Sequence, residues 1–320
     1  MKRRSGARQL RSLAAVAVLA TLLAATAALR GHAAEPPLAV VASFSILADL
    51  VRRVGGERVV VTSLVPAGAD THVFTPVPGH ARQLAGARLV IVNGLGFEGW
   101  LDRLVRSSGY RGAVVVASQG VEPIRNDGLR ERPRAGAHGH DHGRADPHAW
   151  QSVPNVRRYV ANIAAALCRA APADCDGFRT NAAAYDGQLA ALDREIRERL
   201  AAIPRERRRV LTSHGAFGYY AREYGVTFLS PIGTSTDAEP SAASVARLIR
   251  QIRDERIGGY FVENVTDPRL VERIAAETGG ARPARLYSDG LSAPDGPAPD
   301  YLAMMRANTG ALAAALQHAE

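Results

Sequence analysis

Residues 178–203 have the sequence FRTNAAAYDGQLAALDREIRERLAAI, and a proline follows them. The charged side chains mostly avoid an apolar stripe that recurs every three or four residues, as in an amphipathic helix, and this stripe consists of Phe178, Tyr185, Leu189, Leu192, Ile196, Leu200 and Ile203. Such a helix would be about 39 Å long at 1.5 Å per residue. Between two α/β halves, it predicts a rigid connection of two lobes. The alternative is an ordinary surface helix of one larger domain.

The sequence before this helix alternates between two patterns. Helical patterns such as residues 46–54 separate four short apolar runs of strand type, which lie at 38–42, 59–61, 89–93 and 114–116. Alternation of buried strands with helices predicts a parallel sheet that is covered on both faces. We therefore expect residues 35–177 to form an N-terminal α/β lobe.

The sequence after the helix repeats this alternation. A final helical pattern covers 301–316, and strand-type runs lie at 209–212, 226–229, 259–262 and 286–290. We expect residues 204–320 to form a C-terminal α/β lobe. The predicted fold class is α/β, with two Rossmann-like lobes that contain parallel sheets and are joined by the helix at 178–203.

The first 34 residues have the composition of a secretory signal peptide. Basic residues precede an apolar run at 13–29, and small residues follow at 31–34, as in a cleaved export signal. No later run is long and apolar enough to span a bilayer. We expect the mature protein in the periplasm, and without a lipid anchor because no cysteine lies near the cleavage region.

Removal of the signal peptide would lower the net charge of the chain. The formal net charge of +9 includes six basic residues of the signal segment, which has no acidic residue, so the mature chain is left at +3. A balance this mild gives no support to nucleic-acid binding.

Cys168 and Cys175 are the only cysteines of the sequence. In an oxidising compartment we expect them to form a disulfide that closes a short loop. Thiolate metal ligands are the weaker alternative, because the spacing is long and no histidine lies nearby.

Four of the nine histidines lie within residues 137–150, which have the sequence AHGHDHGRADPHAW. Imidazole offers a neutral nitrogen to a metal near neutral pH, so this density indicates metal chemistry. His138, His140 and His142 alternate with Gly and Asp in a loop at 133–147, which predicts a mobile loop that collects metal. The alternative is a solvated loop or an accidental histidine run without a role.

The fourth histidine, His148, lies between Asp-Pro and a helical pattern, and we expect it to be a fixed ligand. Three further candidates lie where predicted strands end: His72 in the first half, and His214 and Asp289 in the second. Ligands of open α/β sheets bind at this edge. Taken singly, His72 is also compatible with a loop histidine without a role, and Asp289 with a turn residue before glycine.

These candidates converge on one point if the two sheets face one another across a cleft. Three imidazoles and one carboxylate suit a tetrahedral zinc site, whereas harder cations such as manganese prefer a second carboxylate. We also expect Glu98, which follows another predicted strand, to orient a metal-bound imidazole. A helix N-terminal carboxylate that faces water is the alternative for Glu98.

Four motifs resemble those of a known family, the metal-binding solute-binding proteins of ABC importers for zinc, manganese or iron. The motifs carry His72, His148, His214 and Asp289 in turn, and they lie at 71–78, 146–150, 212–220 and 287–292. The resemblance covers nearly the whole mature chain. It is closest to the AztC-type zinc-binding proteins, which share the cysteine pair and a Gly-Pro-Ala segment.

This resemblance implies two α/β lobes joined by one long helix, with a metal site in the cleft between them. The implied ligands are His72, His148, His214 and Asp289. Manganese and iron members usually carry glutamate at the third ligand position, so His214 points to zinc. Glu263 matches an acidic position near the family's site, and we expect it to support a ligand rather than to bind the metal.

The implied function is binding without catalysis: capture of Zn²⁺ as transported cargo and its delivery to an ABC permease and its ATPase subunit. The resemblance also allows a periplasmic zinc chaperone as a partner, and we expect a monomer. Capture of manganese or iron is one alternative, and a metal buffer or adhesin without a transporter is another. A secreted zinc hydrolase with Glu263 or Glu98 as base is weaker, because the sequence has no His-Glu-x-x-His.

Overall fold

The computed structural model describes residues 36–125, 145–255 and 257–317 of the chain. The predicted signal peptide at 1–34 lies outside these residues. So do His138, His140 and His142, together with most of the loop predicted at 133–147.

The first half of the described chain contains a four-stranded sheet. Its elements are β1 (Leu38–Phe44), α1 (Ser45–Gly55), β2 (Val59–Val65), α2 (Pro78–Ala85), β3 (Leu89–Val92), α3 (Leu101–Ser108) and β4 (Ala113–Val116). The strand order is β2-β1-β3-β4, and every pairing is parallel. The two central strands are the most apolar and the most buried, as expected for a sheet that is covered on both faces.

Two helices follow the first sheet. Helix α4 (Val153–Ala170) begins after Ser152, whose hydroxyl accepts a hydrogen bond from the backbone N–H of Asn155. Helix α5 (Cys175–Ala201) has 27 residues and is about 40 Å long. It begins and ends slightly earlier than the predicted bounds of 178–203. A disulfide between Cys168 and Cys175 links α4 to the start of α5.

The second half repeats the architecture of the first. Its elements are β5 (Arg209–Leu211), α6 (Gly218–Tyr224), β6 (Thr227–Leu229), α7 (Ala242–Glu255), β7 (Gly259–Glu263), α8 (Arg269–Thr278), β8 (Ala284–Leu286) and α9 (Tyr301–Gln317). The strand order is β6-β5-β7-β8, again with parallel pairings throughout. Two four-stranded parallel sheets with helices confirm the predicted α/β fold of two lobes.

Two helices hold the lobes together. Helix α5 packs against α1 and α4 of the first lobe and against α6 and α9 of the second. At the start of α9, the backbone N–H of Tyr301 donates to Asp49 Oδ2 (3.0 Å), and the Tyr301 hydroxyl donates to the Trp150 carbonyl (2.8 Å). One apolar core therefore continues from the first sheet into the second lobe. None of the helices in the described residues combines the length and apolarity that a membrane crossing requires.

Candidate metal centre

The structure brings together the four predicted ligands from four separate connections. His72 lies between β2 and α2, His148 between β4 and α4, His214 between β5 and α6, and Asp289 between β8 and α9. One potential ligand atom of each residue lies within 4.8 Å of those of the other three. All but His72 are fully buried. Each connection follows the carboxyl end of a parallel strand, so the two sheets present their binding edges to one point.

The spacing of these atoms fits a tetrahedron. The Nε2 atom of His148 lies 3.3 Å from Nε2 of His72 and 3.3 Å from Nε2 of His214. Asp289 Oδ2 lies 3.3 Å from Nε2 of His72 and 3.3 Å from Nε2 of His214. Ligand atoms bound tetrahedrally to zinc at 2.0–2.1 Å are about 3.3–3.4 Å apart. These four distances are therefore compatible with four-coordinate binding of such an ion.

Two carboxyl groups set the orientation of two imidazoles. Asp146 Oδ1 lies 2.7 Å from Nδ1 of His148, and Glu263 Oε2 lies 2.6 Å from Nδ1 of His214. A carboxylate at this distance places the imidazole proton on Nδ1 and leaves the lone pair on Nε2. The Nε2 lone pairs of His148 and His214 then face each other, an arrangement that requires a cation or a proton between them.

Asp289 is a buried carboxylate whose oxygens make no hydrogen bond within the described part of the chain. Its nearest polar neighbours are the Nε2 atoms of the three histidines, at 3.3–3.5 Å. Burial of a charge without hydrogen bonds is strongly unfavourable unless an opposite charge compensates for it. A divalent cation at the centre of the site would supply that compensation.

The electrostatics of the site favour positive charge. Burial alone would lower the pKa of His148, but Asp289 and Asp146 outweigh it and raise this pKa to about 9. Burial would also lower the pKa of His214. Glu263 and Asp289 outweigh this effect and raise the pKa of His214 well above its usual value. Burial would raise the pKa of Asp289, but His148 and His214 hold it well below its usual range. The raised pKa values of His148 and His214 therefore favour positive charge at the place where a bound cation would supply it.

Short-range contacts fix the His72 connection. The backbone N–H of His72 donates to Asp70 Oδ1 (2.9 Å), and the indole N–H of Trp100 donates to the Thr71 carbonyl (3.0 Å). The Phe97 ring packs nearly perpendicular to the imidazole of His72, with ring centroids 4.9 Å apart. These contacts hold His72 at the centre although it is the least buried of the four residues.

Glu98 makes different contacts from those that we expected. Its Oε1 accepts hydrogen bonds from the Ser43 hydroxyl and the Asn93 backbone N–H, both at 2.6 Å, and its Oε2 accepts one from the Gly94 N–H (3.1 Å). These partners are not imidazoles, so the expectation of direct contact with a ligand is corrected. Glu98 instead fixes the backbone after β3, from which the Asn93 amide donates to the carbonyl of Pro147 (2.9 Å).

The sequence reasoning did not single out Asp146, although the structure places it against His148. Its position two residues before the histidine was the available signal, because a carboxylate there can accept the His148 backbone N–H, as it does at 2.9 Å. Glu263, which we expected to support an unspecified ligand, lies beside His214. The histidines of the predicted collecting loop lie outside the described residues.

The family model for the periplasmic component A of zinc-uptake complexes, ZnuA, matches residues 40–315. The chain belongs to this family. It is a metal-binding, extracytoplasmic substrate-binding component of an ABC metal importer, and such components work with a permease and an ATPase. This membership confirms the predicted importer role and excludes the hydrolase alternative, because the family consists of binding proteins and not of enzymes.

Similar proteins differ in the metal that their names give. The iron-binding protein YfeA of Yersinia pestis is 34% identical over 269 residues, which cover 83% of this chain and 82% of YfeA. The manganese ABC transporter substrate-binding lipoprotein PsaA of Streptococcus pneumoniae is 29% identical over 299 residues, 92% of this chain and 93% of PsaA. PsaA is named as a lipoprotein, and our expectation that this chain lacks a lipid anchor stays a prediction.

A similar solved structure is the periplasmic zinc-binding protein TroA of Treponema pallidum. It is 27% identical, with a TM-score of 0.77, and the match covers 88% of this chain and 99% of TroA. These likenesses extend over both lobes. The names of these similar proteins therefore include iron, manganese and zinc.

Proposed function

We propose that this ZnuA-family chain captures Zn²⁺ in the periplasm and delivers it to the permease of an ABC importer. The observation that carries the proposal is the pair of 3.3 Å distances that join Nε2 of His148 to the other two imidazoles. We assign His72, His148, His214 and Asp289 as the four ligands. A closed set of four protein ligands leaves no open position for a catalytic water, in keeping with capture and release.

The donor set supports zinc over manganese. Three imidazoles and one carboxylate suit a borderline ion that accepts tetrahedral coordination, whereas manganese prefers more oxygen ligands in an octahedral arrangement. For a given nitrogen and oxygen site, affinity also rises from manganese and iron towards zinc. A second carboxylate is present near the site, but Glu263 lies on the Nδ1 side of His214 and is turned away from the centre.

Capture of manganese or iron is the second candidate function, because relatives with these metals in their names cover most of this chain. Elemental analysis and competition titration separate the candidates. Metal-stripped protein that is offered equal zinc and manganese should retain one zinc ion per chain. Retention of manganese in preference to zinc would refute the zinc proposal.

The ligand assignment is tested with His214→Ala. Loss of one of the four ligands, itself fully buried, should weaken zinc binding by at least about a hundredfold, since even indirect supports are worth 10- to 100-fold. His80→Ala is the matched control, because His80 accepts the Val77 backbone N–H (3.0 Å) at the start of α2 and is not among the four clustered residues. Unchanged zinc affinity of the His214 variant would refute the assignment.

Several finer points belong to the same proposal. We expect a monomer, a periplasmic zinc chaperone as a possible donor of the metal, and an AztC-type subgroup. We also expect the histidines 138, 140 and 142 to collect zinc for the main site. Their deletion should slow capture and leave equilibrium affinity nearly intact, and a large loss of affinity would place them in the main site instead.

A further inference from the structure

The first two residues of α6 contact the part of the first lobe that carries His148. The Tyr219 side chain is fully buried. Its hydroxyl accepts a hydrogen bond from the Ile124 backbone N–H (3.1 Å) and donates one to the Asp146 carbonyl (3.0 Å). A single hydroxyl of the second lobe thus pairs with two backbone groups of the first.

Gly218 contacts the same aspartate from its other side. A Cβ atom at this position would lie 2.4 Å from Asp146 Oδ2, a distance at which one of the two groups would have to move. Only glycine lets the start of α6 approach the carboxyl group this closely. Asp146 is therefore enclosed by α6 at its carbonyl and at its carboxylate.

Asp146 transmits this contact to His148. Its Oδ1 accepts the His148 backbone N–H (2.9 Å) and lies 2.7 Å from the imidazole Nδ1. His214 precedes α6 in the same connection of the second lobe. A displacement of α6 relative to the first lobe would consequently move one ligand and remove the support of another.

We propose that the Tyr219 hydroxyl is a positioning group, which holds Asp146 and, through it, the His148 imidazole in the ligating orientation when the second lobe is in place. The inference rests on the proposed function, because it takes His148 to be a metal ligand. It goes beyond that function by naming the group through which the second lobe controls a ligand of the first.

The neighbouring Tyr220 provides a matched control. It is also fully buried, and its hydroxyl pairs with the Thr309 hydroxyl (2.9 Å) on α9. Removal of either hydroxyl leaves the ring in place and breaks buried hydrogen bonds, but only Tyr219 contacts the Asp146 segment.

The test compares Tyr219→Phe with Tyr220→Phe by competition against a zinc chelator of known affinity. We expect Tyr219→Phe to raise the zinc Kd about tenfold, the usual effect of removing an indirect support of a ligand. Tyr220→Phe should change it less than about twofold. Equal losses in the two variants would show a general effect of packing and would overturn the inference.

A double-mutant cycle tests the route through Asp146. If Tyr219 acts on His148 through Asp146, then Tyr219→Phe should have almost no further effect on zinc affinity once Asp146→Asn is present. Additive losses would contradict this route. His148→Ala separates the two proposals. If this variant keeps the zinc affinity of the unmodified chain, the ligand assignment is refuted. If it loses zinc affinity but Tyr219→Phe binds zinc normally, only the inference about Tyr219 is refuted.

Hydrogen exchange of the unmodified chain tests the inference even if a variant does not fold. Because coupling is reciprocal, zinc should slow hydrogen exchange of the Ile124 amide more than that of a comparison amide away from the site. The Thr227 N–H, which donates to the Arg208 carbonyl (2.7 Å), is suitable. Equal slowing of both amides would overturn the inference.

Discussion

Glu263 contacts His214 at two points, since its Oε1 accepts the backbone N–H (2.9 Å) and its Oε2 lies 2.6 Å from the imidazole Nδ1. We predict that Glu263→Gln raises the zinc Kd by about 10- to 100-fold. The glutamine amide has a similar shape to the carboxylate but lacks its negative charge. It either places its NH₂ donor beside Nδ1 of His214 or accepts the Nδ1 proton less strongly than the carboxylate does. Competition titration measures the change.

Glu272→Gln is the control for this substitution, because Glu272 is exposed on α8. It should bind zinc like the unmodified chain. Equal affinities of the two variants would mean that Glu263 does not set the orientation of His214.

Protons and zinc compete for the same imidazoles. The pKa of His148 is raised to about 9 by carboxylates that outweigh the effect of its burial, so below that pH a proton must leave when zinc binds. We predict that the apparent affinity falls by at least about tenfold for each pH unit below 9. Calorimetry in buffers of different ionisation enthalpy should detect one to two protons released per zinc. Equal affinities at pH 6.5 and 8.5 would contradict this expectation.

The sequence predicted the four residues that meet at the site, but it predicted less well the side chains that hold these residues in position. His72, His214 and Asp289 each follow a recognisable strand, and His148 lies just before a recognisable helix, so their meeting followed from the topology. Tyr219 carries no such signal, since its role depends on a contact between lobes that are distant in the sequence. The signal of Asp146 is local, two residues before His148, and does not involve a strand end. Glu98 carried a strand-end signal as well, but hydrogen bonds from nearby backbone groups occupy it.

Helix α5 shows what periodicity predicts and what it misses. The apolar stripe located the helix, but its first turn, from Cys175 to Gly177, is polar or small and adds nothing to the stripe. At the other end, Ile203 continues the stripe and is buried, although the helix has ended at Ala201. Periodicity therefore reports burial along this segment rather than its hydrogen-bonded limits.

The disulfide at the start of α5 should stabilise the fold without affecting the metal. Replacement of Cys168 and Cys175 by serine should lower the free energy of unfolding by about 2–3 kcal/mol, because the unfolded chain loses a short closed loop. Zinc affinity should change less than about twofold, since neither cysteine belongs to the cluster of candidate ligands. Urea denaturation and zinc titration of the double variant measure both quantities. A large loss of zinc affinity would contradict the separation of the two sites.

The arrangement of the lobes was predicted in outline only. Alternating patterns on either side of α5 indicated two parallel sheets, and the four strands of each sheet are present. The return of α9 to the first lobe, through Tyr301 and Asp49, was not predicted, because a hydrogen bond between such distant residues leaves no periodic trace. The final helical pattern indicated an element but not its partner.

Zinc should stabilise the molecule as a whole. A ligand that binds only the folded state at a free concentration of a thousand times its Kd adds about 4 kcal/mol to the free energy of unfolding, which corresponds to a rise in Tm on the order of 10 °C for a chain of this size. Calorimetry with and without zinc measures the shift, and a chelator should reverse it. An unchanged Tm at saturating zinc would indicate that the folded lobes do not hold the metal.

The four proposed ligands are spread from residue 72 to residue 289, one on each of four loops. These loops come together in a structure in which the strands of both sheets have formed. An unfolded chain therefore lacks the complete set of four ligands. Loading of the proposed site would therefore follow the folding of both halves, so the order of these two events is set by the connectivity of the chain.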